Sequence, residues 1–250
     1  MNFNSLLLLV SFVIALGNIN AQENQNSKMG FKYNNNFDLS LAANSDQFVG
    51  ALSWVHFIPT GKKQKFKIGY GLRFNSQFGS ELNFVTAPAI ITSKQEGPQV
   101  LFSETFNENV DTLFISQSQV NSLNASINLQ YTFKNKLDVG FNIDAVGFSF
   151  GKEISGTYID NQSSILLNGS QQLAKPTSLN ALLVSDNDIG SLNSELYVRY
   201  WFNKKWAIKA GASFYFTEYT TTNKLRLEND RWRNKSLMGM IGVTLNPFNE

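Results

Sequence analysis

His56 has the greatest capacity for acid–base chemistry in this sequence, because it is the only histidine and histidine titrates near neutral pH. Ser53 lies close to it in the chain. A serine activated by a histidine with an acidic helper is a nucleophile for hydrolysis. A lone histidine among aromatic residues is more often structural. We therefore predict no catalytic residue and keep an enzyme that uses His56 as an alternative.

Metal and cofactor chemistry lacks a candidate set of residues. The chain has no cysteine and one histidine, so the usual zinc ligands are missing. The glycines of "GYG" (69–71) lie inside a strand pattern with no helix after them, unlike a phosphate-binding loop. A formal net charge of +2 does not indicate nucleic-acid binding. We predict no metal, no cofactor and no nucleic-acid partner.

Charged residues instead recur at alternate positions of apolar segments. In "FKIGYGLRF" (66–74), large apolar residues alternate with Lys67, Gly69, Gly71 and Arg73. Such alternation predicts a strand with one apolar and one polar face. Similar segments lie at 31–42, 48–59, 123–133, 137–145, 192–202, 206–217 and 237–248, although 48–59 is apolar on both faces.

The lengths of these segments and of their connections predict the fold. Most segments approach the roughly 9–11 residues that a tilted strand needs to cross a bilayer. Tight turns at 60–64, 134–136 and 203–205 alternate with long links, apart from the short connection at 44–47. We predict an all-β fold: a closed antiparallel up-and-down transmembrane β-barrel with short periplasmic turns and long extracellular loops. Eight strands are expected, with ten as the alternative if 91–115 adds a hairpin. The long loops are expected near 78–118, 151–189 and 222–233.

The polar face is expected to point into the barrel. It consists mostly of Asn, Ser, Gln, Thr and Gly, and charged residues make up only 16% of the chain, against roughly 25% in ordinary domains. Charges of both signs in near balance suit a closed interior, where an unpaired charge is costly. Because an eight-stranded barrel has room only for side chains, we predict a plugged lumen. The predicted interior charge network comprises Lys32, Asp38, Lys67, Arg73, Asp138, Asp144, Glu195, Arg199 and Lys209.

Two further sets of residues are predicted to meet lipid. Aromatic residues gather beside the short turns, as in the aromatic girdle of a membrane barrel. "KLRLENDRWR" (224–233) carries arginines that could contact lipopolysaccharide phosphate, with a solvated hairpin as the equal alternative. The predicted girdle comprises Phe57, Phe66, Tyr131, Phe133, Tyr200, Phe202, Trp206 and Phe248, and the predicted lipopolysaccharide contacts are Arg226, Arg231 and Arg233.

The N-terminal region has the pattern of an export signal. Residues 6–16 form an uncharged apolar run of signal-peptide length, too short for a membrane-spanning helix. We predict a cleaved signal peptide at 1–21, a short linker at 22–29 and the barrel domain at 30–250.

Together these features resemble the small outer-membrane β-barrel proteins of Gram-negative bacteria, particularly the Asn-rich barrels of Bacteroidota. The resemblance rests on the "NAQ" end of the signal, the alternation of strands and turns over 30–250, and a terminal strand near Phe248. It implies residence in the cell outer membrane. The fold implies no single activity.

The predicted function is a non-enzymatic barrel that is structural or that binds through its extracellular loops. The predicted partners are outer-membrane lipid and lipopolysaccharide, with an extracellular or envelope protein on the loops. The alternatives are a lipid-modifying or proteolytic barrel enzyme, a narrow solute channel, and a soluble exported lipocalin-like binder.

Overall fold

The computed structural model describes residues 35–133, 136–162, 167–183 and 187–248. The predicted signal peptide, the linker and Lys32 lie outside these residues. The strands are β1 (Asn35–Ala43), β2 (Gln47–Thr60), β3 (Phe66–Thr86), β4 (Thr112–Phe133), β5 (Leu137–Phe150), β6 (Ile154–Ile159), β7 (Gln171–Pro176), β8 (Leu179–Ala181), β9 (Leu192–Trp201), β10 (Trp206–Thr221) and β11 (Arg231–Leu245). The short helices are one α-helical turn, Ala89–Thr92, and the 3₁₀ segments Gly97–Phe102, Asn107–Asn109 and Arg226–Glu228.

Eight of these strands form a closed antiparallel ring. The order around the ring is β1, β2, β3, β4, β5, β9, β10 and β11. Pairing of β11 with β1, from Phe37 opposite Leu245 to Ala43 opposite Gly239, closes it. Closure removes the unpaired strand edges that an open sheet would expose. The predicted eight-stranded up-and-down barrel is confirmed.

The apolar face of each barrel strand points outward. On β3, Leu72 and Phe74 are exposed, whereas Arg73 and Asn75 between and beside them are buried. Strand β2 keeps the same alternation although its sequence is apolar on both faces. Its inward positions carry small or medium residues from Val49 to Val55, and its outward positions carry larger ones such as Leu52.

A second, smaller ring continues from one end of the barrel. Strands β3 and β4 are 21 and 22 residues long, so their paired ends project beyond the others. There β4 pairs with β6, β6 with β7, and β7 with β10. Trp232 and Arg233 of β11 pair with Thr86 and Val85 of β3, which closes a ring of six strands. We call this ring the cap barrel: 82–86, 112–115, 154–159, 171–176, 219–221 and 231–233.

The cap barrel corrects two of the expected loops. The predicted links 78–118 and 151–189 contain the ends of β3 and β4 and the strands β6, β7 and β8. The inward side of β3 changes between Gln77 and Leu82, near Glu81, whose φ is 56°. On β4 it changes between Ile115 and Ser118. This change of phase interrupts the sequence alternation, which is why the pattern predicts loops there.

The remaining connection between β3 and β4 is helical and irregular, so it does not add two strands. It holds the α-helical turn and two 3₁₀ segments. Among the described residues, no helix has the length and apolar character needed to cross a membrane.

Candidate functional site

The middle of the barrel contains a network of buried ion pairs. Three basic side chains face three acidic ones from five different strands, and each is at most 3% exposed. Arg199 Nη2 lies 2.8 Å from Asp38 Oδ2. Thr244 Oγ1 donates to the other oxygen of Asp38 at 2.6 Å. We call this set the lumen network: Asp38, Arg73, Asp144, Glu195, Arg199 and Lys209.

Lys209 joins the two halves of the lumen network. Its Nζ lies 2.6 Å from Glu195 Oε2 and 3.5 Å from Asp38 Oδ2. On the far side of Glu195, Arg73 lies 3.8 Å from Glu195 Oε1 and 3.4 Å from Asp144 Oδ1. Because each carboxylate faces at least one cation, burial of these charges is compensated.

Amide side chains add hydrogen bonds to the buried charges. Asn142 Nδ2 donates to Glu195 Oε2 at 2.8 Å, and Asn124 Nδ2 donates to Asp144 Oδ2 at 2.8 Å. Gln130 Oε1 accepts a hydrogen bond from Arg199 Nη1 at 2.8 Å. Sequence reasoning missed these amides, although their inward phase beside the charged positions was a usable signal.

Tyr197 and Gly140 show why the inner face needs glycine. They are paired across β5 and β9, and a Cβ on Gly140 would lie 2.3 Å from the Tyr197 ring. The ring therefore lies over the glycine. There its face is 4.5 Å from Lys209 Nζ and 4.9 Å from the Arg199 guanidinium carbon, which adds cation–π attraction.

The lumen is not polar throughout. Between the lumen network and the cap barrel, an apolar cluster fills the side formed by β1, β2, β9, β10 and β11. It packs Met238 and Met240 against Tyr215 and Val49. The cap barrel has its own core, which includes Phe84, Leu113, Tyr158, Tyr219 and Trp232.

The other predicted interior residues lie toward the short turns. Asp138 is buried and accepts hydrogen bonds from Thr132 Oγ1 and Trp201 Nε1, both at 2.7 Å. Lys67 lines the open end of the lumen. Neither belongs to the lumen network, and Lys32 lies outside the described residues.

Seven of the eight predicted girdle residues are exposed at the short-turn rim, and Phe57 is not. Phe57 is 2% exposed because its position on β2 has the inward phase, so its assignment to the girdle is wrong. The opposite rim carries exposed aromatic residues that sequence reasoning missed, namely Phe48, Phe78, Phe148, Phe150 and Phe214.

The two rims bound an apolar belt of membrane thickness. On β2, Phe48 and Ile58 are both exposed. At roughly 3.3 Å per residue and a tilt near 40°, they lie about 25 Å apart along the barrel axis. A band of that height between two aromatic rims matches the hydrocarbon layer of a membrane.

His56 does not form a catalytic constellation. Its side chain lies on the outward phase of β2, with Nδ1 3.0 Å from Asn35 Oδ1 and the ring 5.4 Å from that of Tyr70. Within the described residues, no group of three or more potential ligand residues could hold a metal ion.

Arg226 links the connections β3–β4, β6–β7 and β10–β11 at the end of the cap barrel away from the main barrel. Its Nε and Nη2 donate to Asp111 Oδ2 and Oδ1 at 2.9 and 2.7 Å. The same carboxylate accepts from Tyr158 Oη at 2.9 Å and from the Asn161 amide at 3.1 Å. We call these residues the cap latch: Asp111, Tyr158, Asn161 and Arg226.

The other two arginines of that segment are also engaged within the protein. Arg231 Nε and Arg233 Nη2 each lie 2.8 Å from the Glu218 carboxylate, and both donate to the Asp188 carbonyl. Arg233 is buried. All three predicted lipopolysaccharide contacts thus form internal ion pairs, Arg226 with Asp111 and the other two with the shared carboxylate of Glu218. Their contact with lipopolysaccharide stays a prediction.

Tyr158 in the cap latch should titrate well above an ordinary tyrosine. Burial raises its pKa, and its hydrogen bond to the Asp111 carboxylate raises it further. The neutral phenol is thus favoured in the folded state, so its stabilisation is complete below pH 10 and is lost as pH rises through the folded pKa. The difference in absorbance at 295 nm between the parent protein and Tyr158→Phe should therefore titrate with a midpoint above pH 10. A difference titration centred at pH 10 would contradict this prediction.

The closed ring, its buried interior charges and the apolar outer belt define the class of this chain as transmembrane β-barrels. Only helices and closed barrels satisfy every backbone polar group within a bilayer. Here the barrel's outer surface is apolar while its charges are paired inside.

Comparison with solved structures found similarities at low identity and low TM-score. The chain is similar to the crystal structure of Neisserial surface protein A, with a TM-score of 0.37 and 10% identity over 84% of this chain and 93% of that one. It is also similar to the Yersinia pestis outer membrane protein Ail, with a TM-score of 0.34 and 10% identity over 86% and 98%. No protein-family model and no curated protein sequence matches the chain.

Proposed function

We propose that this chain is a non-enzymatic β-barrel of the cell outer membrane that acts through the surface presented by its cap barrel. The observation that carries the proposal is the presence of two separate buried clusters, one in each barrel. The buried ion-pair network fills the barrel's middle, and a separate apolar core fills the cap barrel. A protein built in this way is suited to structure or display and not to conduction.

The orientation follows from the two ends of the barrel. Short turns at one end and a folded cap barrel at the other correspond to the periplasmic and extracellular ends of outer-membrane barrels. The asparagine-rich composition supports a Bacteroidota-like source. This arrangement would accommodate two partners. One is a small protein bound to the cap barrel, and the other is lipopolysaccharide around the aromatic rim opposite the short turns.

The filled lumen predicts that the purified protein will not conduct ions. In planar lipid bilayers, we expect no unitary conductance from protein that migrates as a heat-modifiable, folded band. A variant lacking residues 153–190 loses β6, β7 and β8 and so opens the cap barrel, but it should also fail to conduct, because the lumen network remains. Steady channel openings by the intact protein would overturn the proposed closed lumen.

A surface tag tests the orientation independently. An epitope inserted after Asn161, in the turn between β6 and β7, should be labelled on intact cells by a reagent that cannot enter the periplasm. A tag in the turn at 61–64 should be labelled only after the outer membrane is made permeable. The reverse pattern would contradict the proposed orientation.

A further inference from the structure

The open end of the lumen, beside the short turns, contains a cavity that the lumen network does not fill. Its volume is about 350 Å³, within the range of small-molecule sites. Gln130 lies in its wall and also accepts a hydrogen bond from Arg199 of the network. The cavity is therefore closed on its inner side by a fixed polar group.

The charges that line this cavity are predominantly positive. Three lysines, Lys67, Lys136 and Lys204, face one carboxylate, Asp138. Both oxygens of Asp138 are already engaged by Thr132 and Trp201. The Lys67 ammonium is half-buried, and within the part of the chain that the structure describes it makes no hydrogen bond or ion pair. A partly desolvated cation of this kind favours an anionic partner.

The rest of the cavity wall combines an amide oxygen that has no hydrogen-bond partner in the described residues with aromatic side chains. Asn246 is 6% exposed and its Oδ1 has no hydrogen-bond partner in the described residues. An asparagine side chain can present either its oxygen or its NH₂ group at such a point. Phe57, Trp201 and Phe202 supply the apolar part of the wall. Phe57, misplaced by sequence reasoning, thus lies at this site.

We propose that this cavity binds a small organic monocarboxylate that carries an apolar or aromatic group. The ligand carboxylate pairs with Lys67, with Lys136 beside it, and its apolar part lies against the aromatic wall. The periplasmic location of this site rests on the proposed function, whereas its chemistry does not.

Calorimetric titration of the folded protein in detergent micelles tests the site. Phenylacetate is the probe and the neutral phenylacetamide is its control, while N-acetyl-Gly-Phe represents the carboxyl terminus of a peptide. We expect phenylacetate to bind at least tenfold more tightly than phenylacetamide. Tighter binding of N-acetyl-Gly-Phe would identify a peptide terminus as the source of the carboxylate, and weaker binding a free small molecule.

Lysine variants separate the site from general charge effects. Lys67→Met keeps the length of the side chain and should weaken phenylacetate binding at least tenfold. Lys65→Met, at an exposed position outside the cavity wall, should leave binding unchanged. Equal binding of acid and amide, or equal loss in the two variants, would overturn the proposal. A failure of this test in protein that passes the bilayer and labelling tests would leave the proposed function intact.

Discussion

Lys209→Met should lower the free energy of unfolding of the barrel by about 3–5 kcal/mol, the usual cost of removing one partner from a buried ion pair. The Lys209 ammonium lies 2.6 Å from Glu195 and 3.5 Å from Asp38. Its removal leaves three buried carboxylates facing two arginines. Glu195 loses its closest cation and keeps Arg73 only at 3.8 Å.

The measurement is urea unfolding from micelles, followed by the fraction of protein that keeps folded migration on gels without heating. Lys205→Met is the matched control, because Lys205 is an exposed lysine in the turn just before the same strand. It should change stability by less than about 0.5 kcal/mol, as surface substitutions usually do.

A second substitution distinguishes charge imbalance from lost packing. Glu195→Gln added to Lys209→Met restores equal numbers of buried acids and bases. The double variant should be more stable than Lys209→Met alone, since the uncompensated carboxylate is gone. If the double variant loses as much stability as the sum of the losses from Lys209→Met and Glu195→Gln alone, charge pairing does not account for the effect.

Trp232→Ala should destabilise the cap barrel by about 3–5 kcal/mol, the cost of deleting a large buried aromatic side chain. Trp232 is fully buried, packs edge-to-face on Tyr158 at 5.8 Å and donates from Nε1 to Thr221 at 3.2 Å. It also lies where β11 pairs with β3 to close the six-stranded ring. Loss of this side chain therefore weakens both the core of the cap barrel and the pairing of β11 with β3 that closes it.

Hydrogen exchange measured by mass spectrometry should locate this effect. Peptides covering 82–86 and 219–233 should lose protection, while peptides covering 123–133 and 206–213 in the barrel keep theirs. Trp206→Ala is the control, because Trp206 is exposed at the short-turn rim, away from the cap barrel. Uniform loss of protection along the whole chain would show that the cap barrel and the main barrel unfold together.

Much of the barrel was predictable because the two-residue periodicity of apolar and polar residues is present in every membrane-crossing strand except β2. A strand that separates lipid from a closed lumen must alternate between apolar and polar side chains. The alternation in segment 66–74 therefore predicted which of its residues face lipid and which face the lumen. The short turns predicted which strands are neighbours. The balance of charges on the polar face indicated a closed interior before any contact was known.

The sequence did not predict the cap barrel or the engagement of its arginines. The inward faces of β3 and β4 change phase near Glu81 and Ser118, so local periodicity ends where pairing continues. The strands that then join β3 and β4 come from distant parts of the chain. The periodicity of a strand does not show which distant strand pairs with it. Arg226 and Arg233 resemble surface residues in the sequence, because their partners Asp111 and Glu218 lie far from them or on another strand.

By itself, the sequence determined the alternation of apolar and polar faces, from which a membrane barrel with its apolar face outward was predicted, because apolar residues recur at every second position of most strands. The tertiary structure alone decided which cation pairs with which carboxylate, that Phe57 points inward, and that a cavity remains at Lys67. These features depend on side chains from strands far apart in the chain meeting across the lumen. Only closure of the ring brings them together.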